Sequence, residues 1–85
     1  MDRQTILDEL KKVLAPYTVN KAALDSITDD TNLVRDLKIN SANLVDIIID
    51  AESKYNIEID MDSAEKMNIV GNCIDVIKEK MDQQA

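Results

Sequence analysis

KINSANLVD, residues 38–46, sets a polar pair, Asn40 and Ser41, directly before a run that is apolar at helical spacing. The spacing predicts a helix from about Ser41 to Tyr55, with Leu44, Ile47, Ile48, Ala51 and Tyr55 on one face. Ala42, Val45 and Ile49 form a neighbouring apolar strip, and Asn43, Asp46, Asp50 and Ser53 cover the polar side. That strip fits two readings, a docking surface edged by carboxylates or a broadened core face. Ser41 also has two readings. A serine at a helix start is most often an N-cap, its oxygen accepting a backbone N–H. Asn40 can do the same job, which would leave the Ser41 hydroxyl free at a helix end whose unpaired N–H groups and dipole favour a phosphate. No base accompanies Ser41, so a reaction there requires a base from another enzyme.

On the N-terminal side, Ile6, Leu7, Leu10, Val13 and Leu14 predict a first helix over 3–14, which Pro16 closes. Residues 17–40 read as a long loop in which 21–27 fits a turn of helix and 29–32 a polar turn. Val19, Leu24, Ile27, Leu33 and Leu37 are the residues expected to pin it to the bundle. Long loops in small domains are commonly functional. On the C-terminal side, Ile57, Ile59 and Met61 alternate with acids, but no second strand is available to pair with them. The expectation is a connection into a short helix over about 62–67, then a last helix capped by Asn68, with Val70, Cys73, Ile74, Ile77 and Met81 inward. The fold class is all-α, three main helices and one short one in a single domain over 1–85.

Composition narrows the chemistry. One Gly and one Pro in 85 residues are too few for a many-turned β protein, and with two tyrosines and no Phe or Trp the core must be aliphatic. A net charge of −7 repels nucleic acid and anionic membranes and favours protein partners with basic patches. There is no histidine, which excludes Ser-His-Asp and Cys-His catalysis and removes the commonest metal ligand. Cys73 reads as a small buried hydrophobe, and a lone cysteine forms no internal disulfide. Glu58, Asp60 and Asp62, like Asp29 and Asp30, lack the Gly turn of a calcium loop and read as solvated carboxylates. No catalytic residue and no metal site is expected. MDRQTILDEL lacks a basic-then-apolar signal and no apolar run is long enough to span a bilayer, so the expectation is a cytoplasmic monomer without membrane insertion.

The ordered segments from Leu33 onward resemble the acyl carrier protein family. Asp36-Leu37-Lys38-Ile39-Asn40-Ser41-Ala42 lies without a gap on the family's D-L-G-x-D-S-L pattern. Lys54-Tyr55-Asn56-Ile57-Glu58-Ile59-Asp60 lies on its aromatic and E-I turn, and Ala64-Glu65-Lys66-Met67 and Asn68-Ile69-Val70 continue in register. The resemblance implies a four-helix bundle with a long loop after the first helix. It implies that Ser41 carries 4′-phosphopantetheine, transferred from coenzyme A by a separate Mg²⁺-dependent phosphopantetheinyl transferase. The arm's thiol, not Cys73, would hold fatty-acid or polyketide intermediates as thioesters. By the same resemblance, Asn40, Ala42, Asn43, Val45, Asp46, Ile49 and Glu52 would meet that transferase, acyl transferases, ketosynthases and other acyl-processing enzymes. The acyl chain would enter beside Ile47, Ala51, Ile59, Ala64 and Met67.

Departures from the pattern are Asn40 for Asp, Ala42 for Leu, Lys38 for Gly, and Ser53 at a position often acidic. They weaken the negative face, shrink one apolar contact, and point to a dedicated carrier rather than a housekeeping one. Two rivals remain, an acidic helical interaction module with Ser41 as an unmodified cap, and an aminoacyl or peptidyl carrier.

Overall fold

A computed structural model describes residues 2–84. Among the described residues, five α-helices surround one aliphatic core: α1 (Arg3–Leu14), α2 (Lys21–Asp25), α3 (Leu44–Tyr55), α4 (Met61–Ala64) and α5 (Val70–Gln84). A 3-10 turn, Ser41–Asn43, leads into α3. Asp2 starts α1 by accepting the Thr5 N–H at 2.8 Å, and Lys11 and Lys12 sit favourably against the dipole in its last turn. Ile6, Leu10 and Leu14 point inward and are essentially inaccessible. They meet Ile47 of α3 and Val70, Cys73, Ile74 and Ile77 of α5. Each such aliphatic side chain contributes about 1.5–3 kcal/mol by leaving water.

Asn56 ends α3 in the left-handed region at φ 54°, a conformation asparagine tolerates, and its N–H returns to the Glu52 carbonyl. The following residues, 57–60, belong to no helix or strand. Among the described residues the β-pairing is one isolated antiparallel bridge, Asn32 with Ile69.

That bridge holds the long loop. The Leu33 N–H donates to the Asn68 carbonyl, the Val70 N–H to the Thr31 carbonyl, and the Gly71 N–H to the Asp29 carbonyl, each at 2.9 Å. Leu33, Leu37 and Ile39 are buried below it. Arg3 clamps the same end, bonding Asp29 at 2.8 Å and Asp75 at 2.5 Å. On the other side, the Tyr17 hydroxyl donates to Asp50 at 2.7 Å and the Tyr55 hydroxyl to Glu9 at 3.1 Å.

Several expectations from sequence are corrected. Residues 21–25 form the short turn of helix that the sequence suggested, α2, capped by the Asn20 side chain on the Ala23 N–H, so the long loop is not continuous. Val19 pins nothing, being 82% exposed; the inward place belongs to its neighbour Thr18. The short helix is Met61–Ala64 rather than 62–67. Ile69, not Asn68, provides the carbonyl that accepts the first bond of α5, from Cys73.

Two outcomes follow for stability. A Cβ on Gly71 would stand 2.9 Å from the Asp29 carbonyl oxygen, which is backbone and already takes the Gly71 N–H. Overpacking of this kind costs about 1–3 kcal/mol, against a helix-propensity gain of about 1 kcal/mol for Ala over Gly. Gly71→Ala should therefore lower the thermal midpoint by a few degrees, and Gly71→Val by more. The second outcome concerns acid. Ser63 and Lys80 hold the Asp60 carboxyl down at about 2, and the Asn32 N–H lowers that of Asp36. Folded-state values below the unfolded ones mean that the contribution is complete above the ordinary carboxylate range, near ~4. It is lost as pH falls toward 2. Thermal midpoints measured from pH 5 down to pH 2 should fall, and Asp60→Asn should flatten part of that fall.

Candidate functional site

Ser41 is exposed, at the first position of the 3-10 turn. Three local features put it there. The Thr18 hydroxyl, buried, donates to the Leu37 carbonyl at 2.5 Å and accepts the Asn20 N–H at 3.1 Å. This fixes the chain just before the site to the turn after α1. Ile39, 1% exposed, is the next anchor, its N–H bonded to the Leu33 carbonyl. Between the two anchors lies Lys38, in the left-handed region at φ 58° and exposed. A lysine pays roughly 1–2 kcal/mol there, since its Cβ crowds the following carbonyl. Upstream, Asn32 and Asp36 lace the loop. Asn32 Oδ1 accepts the Val34 and Arg35 N–H groups, and Asp36 Oδ2 accepts the Asn32 N–H at 2.8 Å.

Asn40 is the cap. Its Oδ1 accepts the Ala42 N–H at 2.9 Å, and its own backbone is extended. The Ser41 hydroxyl enters none of the hydrogen bonds among the described residues. A hydroxyl freed by its neighbour, exposed, and set at the positive end of a helix fits a phosphodiester sterically and electrostatically.

Around it, Ala42 is exposed, Val45 is 61% exposed and Ile49 51% exposed, so the apolar strip on α3 faces solvent rather than widening the core. Met61 of α4, 77% exposed, was not anticipated as an exposed apolar residue. Asn43 is half-buried and Asp46 exposed. Two carboxylates of α3 already have internal tasks. Asp50 accepts the Tyr17 hydroxyl, and Glu52, half-buried, accepts the Ile59 N–H at 2.9 Å. Ile47, Ala51 and Met67 are packed inside, while Ile59 and Ala64 are half-buried. An open groove between the end of α3 and α5 is lined by Glu52, Ile57, Glu58, Ile59, Asp60 and Lys80. Of the five predicted chain-lining residues, Ile59 is the one that reaches it.

Cys73 is buried on α5, its thiol directed at the Met67 carbonyl at 3.1 Å, and burial pushes its pKa up to about 12. No group of three or more acidic or cysteine side chains among the described residues is placed to hold a metal ion. No described helix is long and apolar enough to cross a membrane.

Residues 4–70 match the sequence pattern of the phosphopantetheine attachment site family. The chain belongs to the acyl carrier protein family. It is 37% identical over 79 residues to the acyl carrier protein of Lactobacillus acidophilus, an alignment covering 92% of this chain and 95% of that one. To the acyl carrier protein of a Picosynechococcus species it is 31% identical over 77 residues, 91% and 93% of the two chains. A thermally stable acyl carrier protein from Enterococcus faecalis superposes with a TM-score of 0.75 at 26% identity, over 94% of this carrier and 99% of that chain. The fold also matches hexanoyl carrier protein from the actinorhodin polyketide synthase of Streptomyces coelicolor, TM-score 0.78 at 21% identity over 92% of each. The carrier is therefore non-catalytic, and its prosthetic group is covalent phosphopantetheine. The family role implies interaction with phosphopantetheinyl transferases and acyl-processing enzymes.

Thr18 was missed by sequence reasoning, because a threonine between a tyrosine and a valine carries no signal of burial. Thr18→Val keeps the shape but leaves the Leu37 carbonyl without its donor, a loss of about 1–3 kcal/mol for a buried acceptor. Urea unfolding should show that loss, amide exchange at 38–41 should quicken, and Thr18→Ser should restore most of both.

Proposed function

We propose that Ser41 is the attachment point and that this protein is a covalent shuttle for fatty-acyl or polyketide intermediates. The observation that carries the reading is the division of labour at the turn. Asn40 satisfies the helix end, leaving the Ser41 hydroxyl exposed and unbonded. That arrangement favours the carrier over an interaction module in which Ser41 serves as the cap. An incoming transferase supplies the base that takes the Ser41 proton; Ser41 Oγ attacks the pantetheine-side phosphorus of the coenzyme A diphosphate, the P–O–P bridge breaks, and adenosine 3′,5′-bisphosphate leaves. When attached, the arm supplies a thiol that holds cargo as a thioester. The chain's own residues hold the serine in reach, present a docking face, and shelter the load.

The docking face is Asn40, Ala42, Asn43, Val45, Asp46 and Ile49, with Glu52 at its far edge. Its apolar centre, Val45 and Ile49, is exposed, and Asp46 beside it suits a basic side chain on a transferase, acyl transferase or ketosynthase. With Glu52 and Asp50 engaged internally, this face is less acidic in effect than the sequence suggests. The acyl chain enters beside Ile47, Ala51, Ile59, Ala64 and Met67. Aliphatic side chains, unlike rigid rings, re-pack around a guest. The substitutions Asn40, Ala42 and Lys38 support a dedicated acyl or polyketide pathway with its own partner set.

Co-expression with a broad-specificity phosphopantetheinyl transferase should add the mass of one phosphopantetheine, and Ser41→Ala should abolish the gain. An unchanged mass in the wild type with several such transferases rejects the reading. The native loaded protein should show one thiol reactive to an aromatic disulfide reagent, and the native unloaded protein none. Denaturation should add one to each, because Cys73 is sealed in the core.

A further inference from the structure

Lys38 is costly where it stands. It holds a left-handed backbone conformation at φ 58° that a glycine would adopt freely. Packing does not explain its side chain, which is exposed. Ion pairing does not explain it either. The Arg35 guanidinium takes Asp36 at 3.5 Å, and no carboxylate lies within ion-pair distance of Lys38 among the described residues. Strain held at an exposed position beside a reactive group is where a functional reason is to be sought.

The charge around the serine is unusual for this chain. Residues 35–42 carry Arg35 and Lys38 against Asp36 alone, a local surplus of one positive charge in a protein of net charge −7. Asn40, immediately before the serine, is neutral and fully used as the cap. Within residues 35–42 the one carboxylate, Asp36, is engaged by Arg35 and the Asn32 N–H, and the Lys38 ammonium makes no ion pair among the described residues. Three residues of chain separate the Cα atoms of 38 and 41 by at most about 11 Å. A flexible four-carbon stem closes most of that span, and even its full length is near the screening length of about 10 Å at 0.1 M salt.

We propose that the Lys38 ammonium is the counter-ion of the phosphodiester joined to Ser41, steadying the root of the arm against the start of α3. The inference rests on the attachment reading and adds to it a positioning residue. In the unloaded protein Lys38 has only its attraction to the Asp36 carboxylate, without an ion-pair contact, to set against the strain; in the loaded protein the ion pair offsets it. Loading should therefore stabilise this protein more than it would a variant lacking the cation.

The test compares loaded and unloaded protein within each of wild type, Lys38→Arg, Lys38→Gln and Lys38→Gly, in low salt and in about 0.5 M salt. Relief of strain raises both forms of Lys38→Gly alike, so the informative quantity is the difference between its two forms. In low salt, the rise in thermal midpoint on loading should be roughly 2–4 °C larger in wild type and Lys38→Arg than in Lys38→Gln and Lys38→Gly. High salt should erase that difference. The phosphorus-31 resonance of the phosphodiester should move with salt in wild type and Lys38→Arg and stay still in Lys38→Gln. Equal increments in all four proteins, with a salt-independent resonance in wild type, overturn the role of Lys38. Loading is verified first by intact mass. Failure of wild type to gain mass removes the attachment reading and this inference together, whereas normal mass gain with equal increments removes this inference alone.

Discussion

Everything at the site hangs on the seam where the long loop meets the beginning of α5. Three backbone bonds, from Leu33, Val70 and Gly71, tie residues 29–33 to 68–71. They come without a sheet to share the load, so the seam depends on what lies beneath it. Leu33, Leu37 and Ile39 are buried members of the core, and Gly71 lets the loop backbone approach closely. Remove the seam and Ser41 loses its fixed height above the bundle. A carrier must offer one atom to many enzymes, and a defined root for a flexible arm needs a loop that is itself immobile.

The polar bonds around the seam sort into those that hold the fold and those left for partners. Arg3 spends its guanidinium on Asp29 and Asp75, Tyr17 its hydroxyl on Asp50, and Glu52 its carboxylate on the Ile59 N–H. Asp46 is exposed beside an apolar strip. A strongly acidic sequence therefore exposes on α3 an apolar strip centred on Val45 and Ile49, the face proposed above for docking. Charge can guide the first encounter over distance, while the strip provides the contact that shape can discriminate.

Much of the architecture was legible beforehand, and the reasons are specific. α1, α3 and α5 announce themselves through apolar spacing, with Pro16 closing the first, and Leu33 and Leu37 stand out in a polar stretch. α2 has five residues, too few for a period to emerge, and its stability comes from the Asn20 cap and from Leu24. Val19 misled because hydrophobicity says nothing about which neighbour turns inward; Thr18 won that place through a hydroxyl bond to Leu37. At the site, the pairing of Asn40 with Ser41 could be read two ways, and the Ala42 N–H bond decides which residue caps. The internal engagement of Glu52 and the backbone of Lys38 depend on long-range geometry that local sequence does not encode.

Cys73 has a bearing on the fidelity of cargo handling. A protein that carries activated esters on a sulfur is endangered by any second sulfur, because acyl groups pass between thiolates by exchange. Here the second sulfur lies on the buried face of α5, and burial pushes its pKa up to about 12. Burial keeps it a protonated thiol at neutral pH and leaves an ester no path to reach it. Leakage of the load onto the scaffold is thus prevented by the same packing that keeps the bundle folded.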